Sequence, residues 1–278
     1  MTEFRRKRRK FILVPSGSAG DNRPFVWLAH GLLARGHDVT AVVHAPFGQL
    51  FHAERVRAAV YGTVEDYEAI LRHPDLWHPR RGFALLARNA ERTFRHAVPL
   101  IREEVAPGRT TLVGAGLAFA ARIAAEADRL PIVTIQLQPA AFLSVESPPL
   151  LRAGWERFMR SPHWVRRAVY ALVDWHTDWL LAGALNEYRA ELRLGAPVRQ
   201  VFRGYAPSPK RVVALFPEWF GPKQRDWPPQ SATTRFPLDE QAPAPPLPGA
   251  IEEFVSEAES PILFTAGSAN LQAGSFLS

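Results

Sequence analysis

The chain of 278 residues contains no cysteine. Without thiols it can form neither disulfide bonds nor thiolate-ligated metal sites, and a reducing compartment, the cytoplasm, is its simplest location. No run of 18 or more apolar residues occurs, so the sequence predicts no membrane-spanning helix. Hydrophobic residues nevertheless make up 47% of the chain, which is enough to fill the core of one large domain or of two modest ones.

Positive charge is concentrated at one end of the chain. The formal net charge is +7, but residues 1–10 carry six basic side chains, all within Arg5–Lys10, and one acidic side chain, which leaves +2 for the rest. Residues 1–10 therefore form a basic tail, which could hold anionic lipid or nucleic acid by charge. A solvated, disordered leader is the favoured interpretation. No nucleic-acid partner is expected, because no known nucleic-acid-binding motif occurs.

Apolar runs alternate with helical patterns over residues 11–236 and predict an α/β domain. Strands are expected over residues 11–14, 38–43, 56–61, 110–114, 131–136 and 211–215, and helices over 24–34, 82–105 and 117–127. This alternation predicts a parallel sheet with helices on both faces. Residues 150–194 are rich in helix formers and tryptophan and are expected to form two helices outside the alternation.

A cluster of prolines marks a boundary further on. Five prolines lie between Pro237 and Pro248, which predicts a stiff, extended segment. We assign residues 237–259 to an interdomain linker with a short helix at 251–258. Residues 260–278 then supply the first strand and glycine turn of a second Rossmann-like domain. So few residues cannot bury their own apolar face, so this second domain is expected to be truncated.

The loop after the first strand lacks several familiar phosphate-binding and catalytic patterns. Dinucleotide binding needs G-x-G-x-x-G and an acid that ends the second strand, but Gly17-Ser-Ala-Gly20 supplies two glycines and that strand ends at His44. A P-loop and a nucleophile elbow are also missing. An anion at the helix N-terminus would be repelled by Asp21. Asp21 is left with two interpretations, a helix cap without chemistry and a general base.

Five motifs occur in a consistent order along the chain. They are Gly17-Ser-x-Gly20-Asp21-x-x-Pro24-Phe25, Arg35-Gly36-His37-x-Val39-Thr40, Gln136-Leu-Gln-Pro-Ala140, Leu215-Phe-Pro-Glu-Trp-Phe220 with Asp226-Trp-Pro228, and Phe264-Thr-Ala-Gly-Ser268. Together they resemble the GT-B glycosyltransferases. The branch resembled contains sterol glucosyltransferases and the bacterial enzymes that glycosylate macrolides, glycopeptides and other natural products.

The resemblance implies a GT-B fold, in which a Rossmann-like N-terminal acceptor domain faces a C-terminal donor domain. It implies hexosyl transfer from a nucleotide-diphosphate sugar to a hydroxyl of a lipid, sterol-like or natural-product acceptor, with inversion and without a metal or other cofactor. It assigns the role of catalytic base to Asp21. Ser18, Gly20, Gly116 and Gln138 are expected to bind the acceptor, since Gly116 and Gln138 follow strand ends at the edge where α/β sheets bind ligands; a tight turn explains the glycines equally well. Gly267 and Ser268 are expected to bind the donor phosphate through the N–H groups of their turn.

The sequence departs from this branch because the signature that grips the donor nucleotide does not occur. We therefore expect the 278 residues to be a fragment that transfers no sugar by itself. Two alternatives remain: an inactive acceptor-binding module or half-enzyme, and a peripheral membrane protein that contacts anionic lipid, at the inner face of the membrane, through Arg5–Lys10 and its tryptophans.

Four tryptophans and two histidines are expected to have a structural role and no role in catalysis or binding. A core position is favoured over an acceptor pocket for Trp155, Trp164, Trp175 and Trp179. His37 is expected at the far end of the sheet from the first loop, and His30 is expected to pack on the first helix or to face solvent.

Overall fold

The computed structural model describes residues 8–78, 81–150, 155–238, 246–257 and 259–262. The strands are β1 (Lys10–Val14), β2 (Asp38–His44), β3 (Arg57–Tyr61), β4 (Thr110–Ala115), β5 (Ile132–Gln136), β6 (Val212–Ala214) and β7 (Ser231–Thr233). The α-helices are α1 (Ala19–Leu33), α2 (Gly48–Ala53), α3 (Val64–Leu71), α4 (Gly82–Glu103), α5 (Phe119–Ala127), α6 (Glu156–Met159), α7 (His163–Glu191) and α8 (Gly249–Glu257).

The strands form one sheet in the order β3-β2-β1-β4-β5-β6-β7, and every neighbouring pair is parallel. The first six positions have the strand order of a doubly wound Rossmann fold. The chain reverses its direction of winding between β1 and β4, and such a switch point leaves a crevice at the carboxyl ends of the two strands. The predicted parallel sheet is confirmed.

Helices cover both faces of the sheet, because alternate strand residues point to opposite sides. On β1, Ile12 packs into a cluster with α4, α5 and α7, whereas Leu13 packs on the other face with α1 and α2. Phe94 on the first face and Phe25 on the second are almost completely buried. These two apolar layers hold the strands in place and so fix the edge where the loops emerge.

Helix α1 begins five residues earlier than predicted. We expected Pro24 in the first turn, but Ser18 is the N-cap and Pro24 lies inside the helix. Ser18 has extended backbone dihedrals, and the carboxylate of Asp21 accepts a hydrogen bond from its backbone N–H at 2.6 Å. The cap at Ser18 marks the start of the helix. Pro24, in the second turn, removes only a single backbone hydrogen bond, so the helix can begin before it.

The sheet contains one strand more than the sequence pattern predicts. The strand expected at 211–215 does not end the set, because β7 pairs with β6 beyond it, with Val212 opposite Ser231 and Ala214 opposite Thr233. Strand β7 has three residues and no apolar run. Periodicity therefore gives no signal for it.

The region after β5 forms the two expected helices, α6 and α7. The core interpretation of its tryptophans is wrong, since the exposed fractions of Trp164, Trp175 and Trp179 are 72%, 67% and 72%. Trp155 is half-buried and packs edge-on against Phe158. Helix α7 carries apolar residues on both of its sides, so the sequence pattern could not show which side is buried.

The predicted helix at 251–258 corresponds to α8, whose residues are exposed. The first strand of the second domain, predicted within residues 260–278, lies mostly outside the described residues, and Gly267 and Ser268 lie wholly outside them. The predicted linker and domain boundaries therefore stay predictions.

Candidate functional site

The loops that carry the predicted N-terminal site residues emerge at one edge of the sheet. Val14 pairs with Gly114, and Gly114 pairs in turn with Thr134, so β1, β4 and β5 end almost level. Ser18 follows β1, Gly116 follows β4 and Gln138 follows β5. Open α/β sheets bind their ligands at this carboxyl edge, beside the switch point. The structure thus brings the predicted residues to one suitable place.

Asp21 lies in the first turn of α1, directly after β1. Its Oδ2 accepts hydrogen bonds from the Ser18 N–H at 2.6 Å and from the Ser18 hydroxyl at 2.9 Å. Its Oδ1 accepts no hydrogen bond from any residue that the structure describes, and the side chain is half-buried. One carboxylate oxygen therefore fixes the orientation of the group, while the other is available to a ligand. The cap interpretation is correct in geometry and does not conflict with a role as a base.

Gly17 makes room for this carboxylate. Its φ is +121°, a region that side chains other than glycine rarely adopt. A Cβ at Gly17 would overlap the carboxylate of Asp21. Gly20 differs, since a Cβ there would lie 3.6 Å from the Ser18 hydroxyl, which is an ordinary contact. Of the two glycines in this turn, Gly17 is the one that the site geometry requires.

The glycines after β4 have separate packing roles. A Cβ at Gly114 would come within 2.9 Å of Ala121 Cβ, so this glycine lets α5 pack closely on β4. A Cβ at Gly116 would come within 2.5 Å of the Gln136 Oε1, so Gly116 admits the amide of Gln136. Gln136 is buried whereas Gln138, two residues on, is exposed. Both glutamines belong to the same sequence motif, but the residue predicted to contact the acceptor was the exposed Gln138.

An aromatic and histidine cluster lies at the carboxyl end of β2 and was not predicted as part of the site. His44, the last residue of β2, packs with Tyr61 and Tyr67 at ring-centroid distances of 5.2 and 5.6 Å. Burial lowers the pKa of His44, which favours the neutral imidazole. Burial, and in second place the charge of Asp21, raise the pKa of Tyr67. The position of His44 at the end of an apolar strand could have identified it from the sequence as a residue at the carboxyl edge of the sheet.

A cleft of about 650 Å³ lies beside β5 and β6, with Gln136 in its wall. Asp226 fixes one rim, because its carboxylate accepts hydrogen bonds at 2.6 Å from the Ser144 hydroxyl and the Val145 N–H. The Phe142 ring stacks on Trp227 with centroids 3.8 Å apart. The motif Asp226-Trp-Pro228 therefore shapes the loop after β5.

Polar groups line much of this cleft. Four basic side chains reach it: Arg122, His163, Arg167 and Arg203. Arg203 is engaged by the buried Asp174, and His163 lies 3.2 Å from Glu146. Arg167 forms no ion pair with any described residue. The cleft thus combines apolar walls with hydrogen-bond donors, as small-molecule sites do.

The two histidines that were given structural interpretations lie away from this edge. His37 precedes β2 at the opposite edge of the sheet, where its ring packs against Phe11 at 5.1 Å, so its predicted placement is confirmed. The ring Nε2 of His30, on α1, lies 3.0 Å from the backbone oxygen of Glu54.

The described residues contain no cluster of three or more histidine, cysteine or acidic side chains that could hold a metal ion. No helix in the described ranges is long and apolar enough to cross a membrane. The expectation that no metal is used stays a prediction.

Comparison with known proteins places this edge in context. No family model matches the chain. The chain is 28% identical, over 93% of its length, to O-mycaminosyltylonolide 6-deoxyallosyltransferase of Streptomyces fradiae, of which it covers 61%. A segment of 47 residues, 16% of the chain, is 51% identical to a sterol 3-beta-glucosyltransferase of Komagataella phaffii, of which it covers 4%. The glycosyltransferase SnogD from Streptomyces nogalater superposes with a TM-score of 0.56 at 15% identity, over 86% of this chain and 54% of that one.

These comparisons confirm the resemblance and the fold. The described sheet is that of the Rossmann-like domain of GT-B glycosyltransferases, and the chain is similar in sequence to the bacterial natural-product branch. The chain spans between about half and two thirds of the length of the bacterial proteins it matches. Its roles in catalysis therefore belong to a proposal.

Proposed function

We propose that this chain is the acceptor-binding part of a nucleotide-sugar-dependent glycosyltransferase. The hexosyl group of a nucleotide-diphosphate sugar is transferred, with inversion, to a hydroxyl of an apolar natural product, sterol-like molecule or lipid. The observation that carries this proposal is the position of Asp21, at the carboxyl edge beside the switch point, with one oxygen held by Ser18 and the other free. Similarity to a macrolide glycosyltransferase over 93% of the chain supports it.

The chemistry follows from this arrangement. An alcohol is a weak nucleophile, so its proton must leave as the new bond forms. Asp21 Oδ1 accepts that proton while the acceptor oxygen attacks the anomeric carbon, and the bond from that carbon to the nucleotide diphosphate breaks.

The described residues supply the acceptor side of this reaction. Gly116 contacts Gln136 at the carboxyl edge of the sheet, and the cleft beside β5, whose wall includes Gln136, is the proposed place for the body of the acceptor. Gln138, Ser18 and Gly20 stay proposed acceptor contacts. Gly267 and Ser268, proposed for the donor phosphate, fall outside the described residues. The proposal that the chain alone transfers no sugar, and the proposed contact of Arg5–Lys10 with an anionic surface, remain to be tested.

The base is tested by Asp21→Asn in a protein that joins this chain to the donor domain of the Streptomyces fradiae relative. Asparagine keeps an oxygen for the Ser18 N–H but cannot accept the proton. We expect kcat to fall by about 10²–10⁴-fold with little change in KM. Transfer to O-mycaminosyltylonolide, the acceptor in that relative's name, is followed by product mass.

The matched control is Asp38→Asn, which should leave kcat unchanged. Asp38 is the first residue of β2 and so lies at the edge of the sheet opposite Asp21. Equal activity of the Asp21→Asn and parent proteins would show that Asp21 is a helix cap alone. The alternative function, a binding module without chemistry, predicts acceptor binding with no turnover in any of these proteins.

A further inference from the structure

Helix α7 presents a ridge of tryptophan to solvent. Trp164, Trp175 and Trp179 are each about two thirds or more exposed, and Leu172 between them is 65% exposed. At about 100° per residue, these four side chains fall within an arc of roughly 80°. We call Trp164, Leu172, Trp175 and Trp179 the tryptophan ridge. Contiguous exposed apolar side chains of this size mark an interaction surface.

The ridge is not a displaced part of the core. The other face of α7 is buried through Tyr170, Leu181 and Leu185, each at most 3% exposed. A groove of about 400 Å³ runs beside the ridge, between Trp175 and Trp179 on one side and residues 197–199 on the other. The helix is thus anchored on one side and offers an apolar line and a groove on the other.

Positive charge surrounds the ridge. Arg157 and Arg160 are exposed and shortly precede α7 in the sequence, and Arg199 lies in the wall of the groove; none of the three forms an ion pair with a described residue. The carboxylates in the middle turns of α7 bind other partners and do not neutralise these arginines. Asp174 holds Arg203, and Asp178 accepts hydrogen bonds from the backbone N–H groups of residues 200 and 201 at 2.7 and 2.9 Å. Glu156 is the remaining acid between residues 155 and 180.

We propose that the tryptophan ridge and its arginines bind the surface of an anionic lipid bilayer. Tryptophan suits the boundary between headgroups and acyl chains, because its ring is apolar and its N–H can still find a partner. Arginines beside such a helix are attracted to anionic headgroups. The helix then lies in the plane of the interface, with its apolar line inserted. A symmetric pair of ridges from two copies would bring like-charged arginines together, so a second copy fits less well.

This surface is separate from the basic tail and from the site at the sheet edge. It goes beyond the proposed transferase function and does not depend on it, because lipid binding is measured without donor or acceptor. The two proposals can fail separately. A chain that binds vesicles but transfers no sugar would contradict only the proposed function, and a transferase that binds no vesicles would contradict only the proposed lipid surface.

The test is co-sedimentation of the 278-residue chain with vesicles of equimolar phosphatidylcholine and phosphatidylglycerol, compared with vesicles of phosphatidylcholine alone. The ridge variant is Trp164→Ser with Trp175→Ser and Trp179→Ser. We expect the partition coefficient on anionic vesicles to fall at least tenfold. Trp219→Ser is the control, since Trp219 is 80% exposed but lies outside α7, and it should bind like the parent chain.

A second variant, Arg157→Gln with Arg160→Gln, removes charge and keeps the indoles. We expect it to weaken binding to anionic vesicles several-fold and to leave the weak binding to phosphatidylcholine vesicles unchanged. Urea unfolding of each variant should match the parent chain, because the replaced side chains are exposed.

Three results would overturn the proposal. The first is an absence of binding to anionic vesicles by the parent chain. The second is equal binding by the parent chain and the ridge variant, which would assign the binding to Arg5–Lys10. The third is a parent chain that light scattering shows to be a dimer while the ridge variant is a monomer, which would make the ridge a contact between two copies.

Discussion

At the scale of single residues, the orientation of Asp21 depends on the glycine before it. Gly17 has φ of +121° and leaves no space for a Cβ beside the carboxylate. The sequence predicted a glycine turn followed by an acid at a helix start. It could not show that one carboxylate oxygen is fixed and the other free, because that depends on the rotamer that Ser18 selects by its two hydrogen bonds.

We predict that Gly17→Ala lowers the free energy of unfolding by about 1–3 kcal/mol, because alanine meets a strained φ and displaces the Asp21 carboxylate. Gly20→Ala is the matched control three residues on, inside the first turn of α1. There alanine has room and better helix propensity, so stability should change little or rise slightly. Urea unfolding monitored by circular dichroism measures both. Equal effects of the two substitutions would contradict the assigned role of Gly17.

At the scale of elements, α5 and α7 are joined by an ion pair in a mostly buried setting. Arg189, 3% exposed, contacts Glu126 at 2.6 Å, and the Tyr205 hydroxyl donates to the same carboxylate at 3.0 Å. Burial acts to raise the pKa of Glu126, but the hydrogen bonds from Arg189 and Tyr205 outweigh it and the net pKa is lowered. This pair helps to place α7 on the sheet.

We predict that Glu126→Gln lowers the free energy of unfolding by about 1–3 kcal/mol at pH 7. A carboxyl whose pKa is lower in the folded chain stabilises it above the unfolded pKa, near 4.3, and this contribution disappears as pH falls through the folded pKa. The gap between parent and variant should therefore narrow as the pH falls from about 5 to about 3. Urea unfolding across this range measures it, with Glu187→Gln, an exposed position on α7, as the control. A gap independent of pH would contradict the assignment.

The elements themselves were predictable to different degrees. Strands β1, β2, β4 and β5 have long apolar runs between turn residues, and the sequence placed each within a residue or so of its observed bounds. Strand β7 and the buried side of α7 were not predicted. Their placement is set by contacts with distant segments, which leave no periodic signal in the local sequence.

At the scale of the whole molecule, strand alternation and the motifs predicted the parallel sheet and the edge that carries the candidate site. The cleft beside β5 was not predictable, because its rim joins residues far apart in sequence, as in the stacking of Phe142 on Trp227 and the contact of Ser144 with Asp226. Such pairs form only when β6 and the following loop close over the end of β5.

Binding measurements on the 278-residue chain can decide whether the described domain holds an acceptor and needs a donor domain for chemistry. Isothermal titration should show that O-mycaminosyltylonolide or another apolar hydroxylated acceptor binds, that Asp21→Asn binds it equally well, and that UDP and dTDP do not bind. Binding of these nucleotides by the chain, together with transfer of sugar from UDP-glucose or a dTDP-sugar without any added domain, would contradict the proposed function.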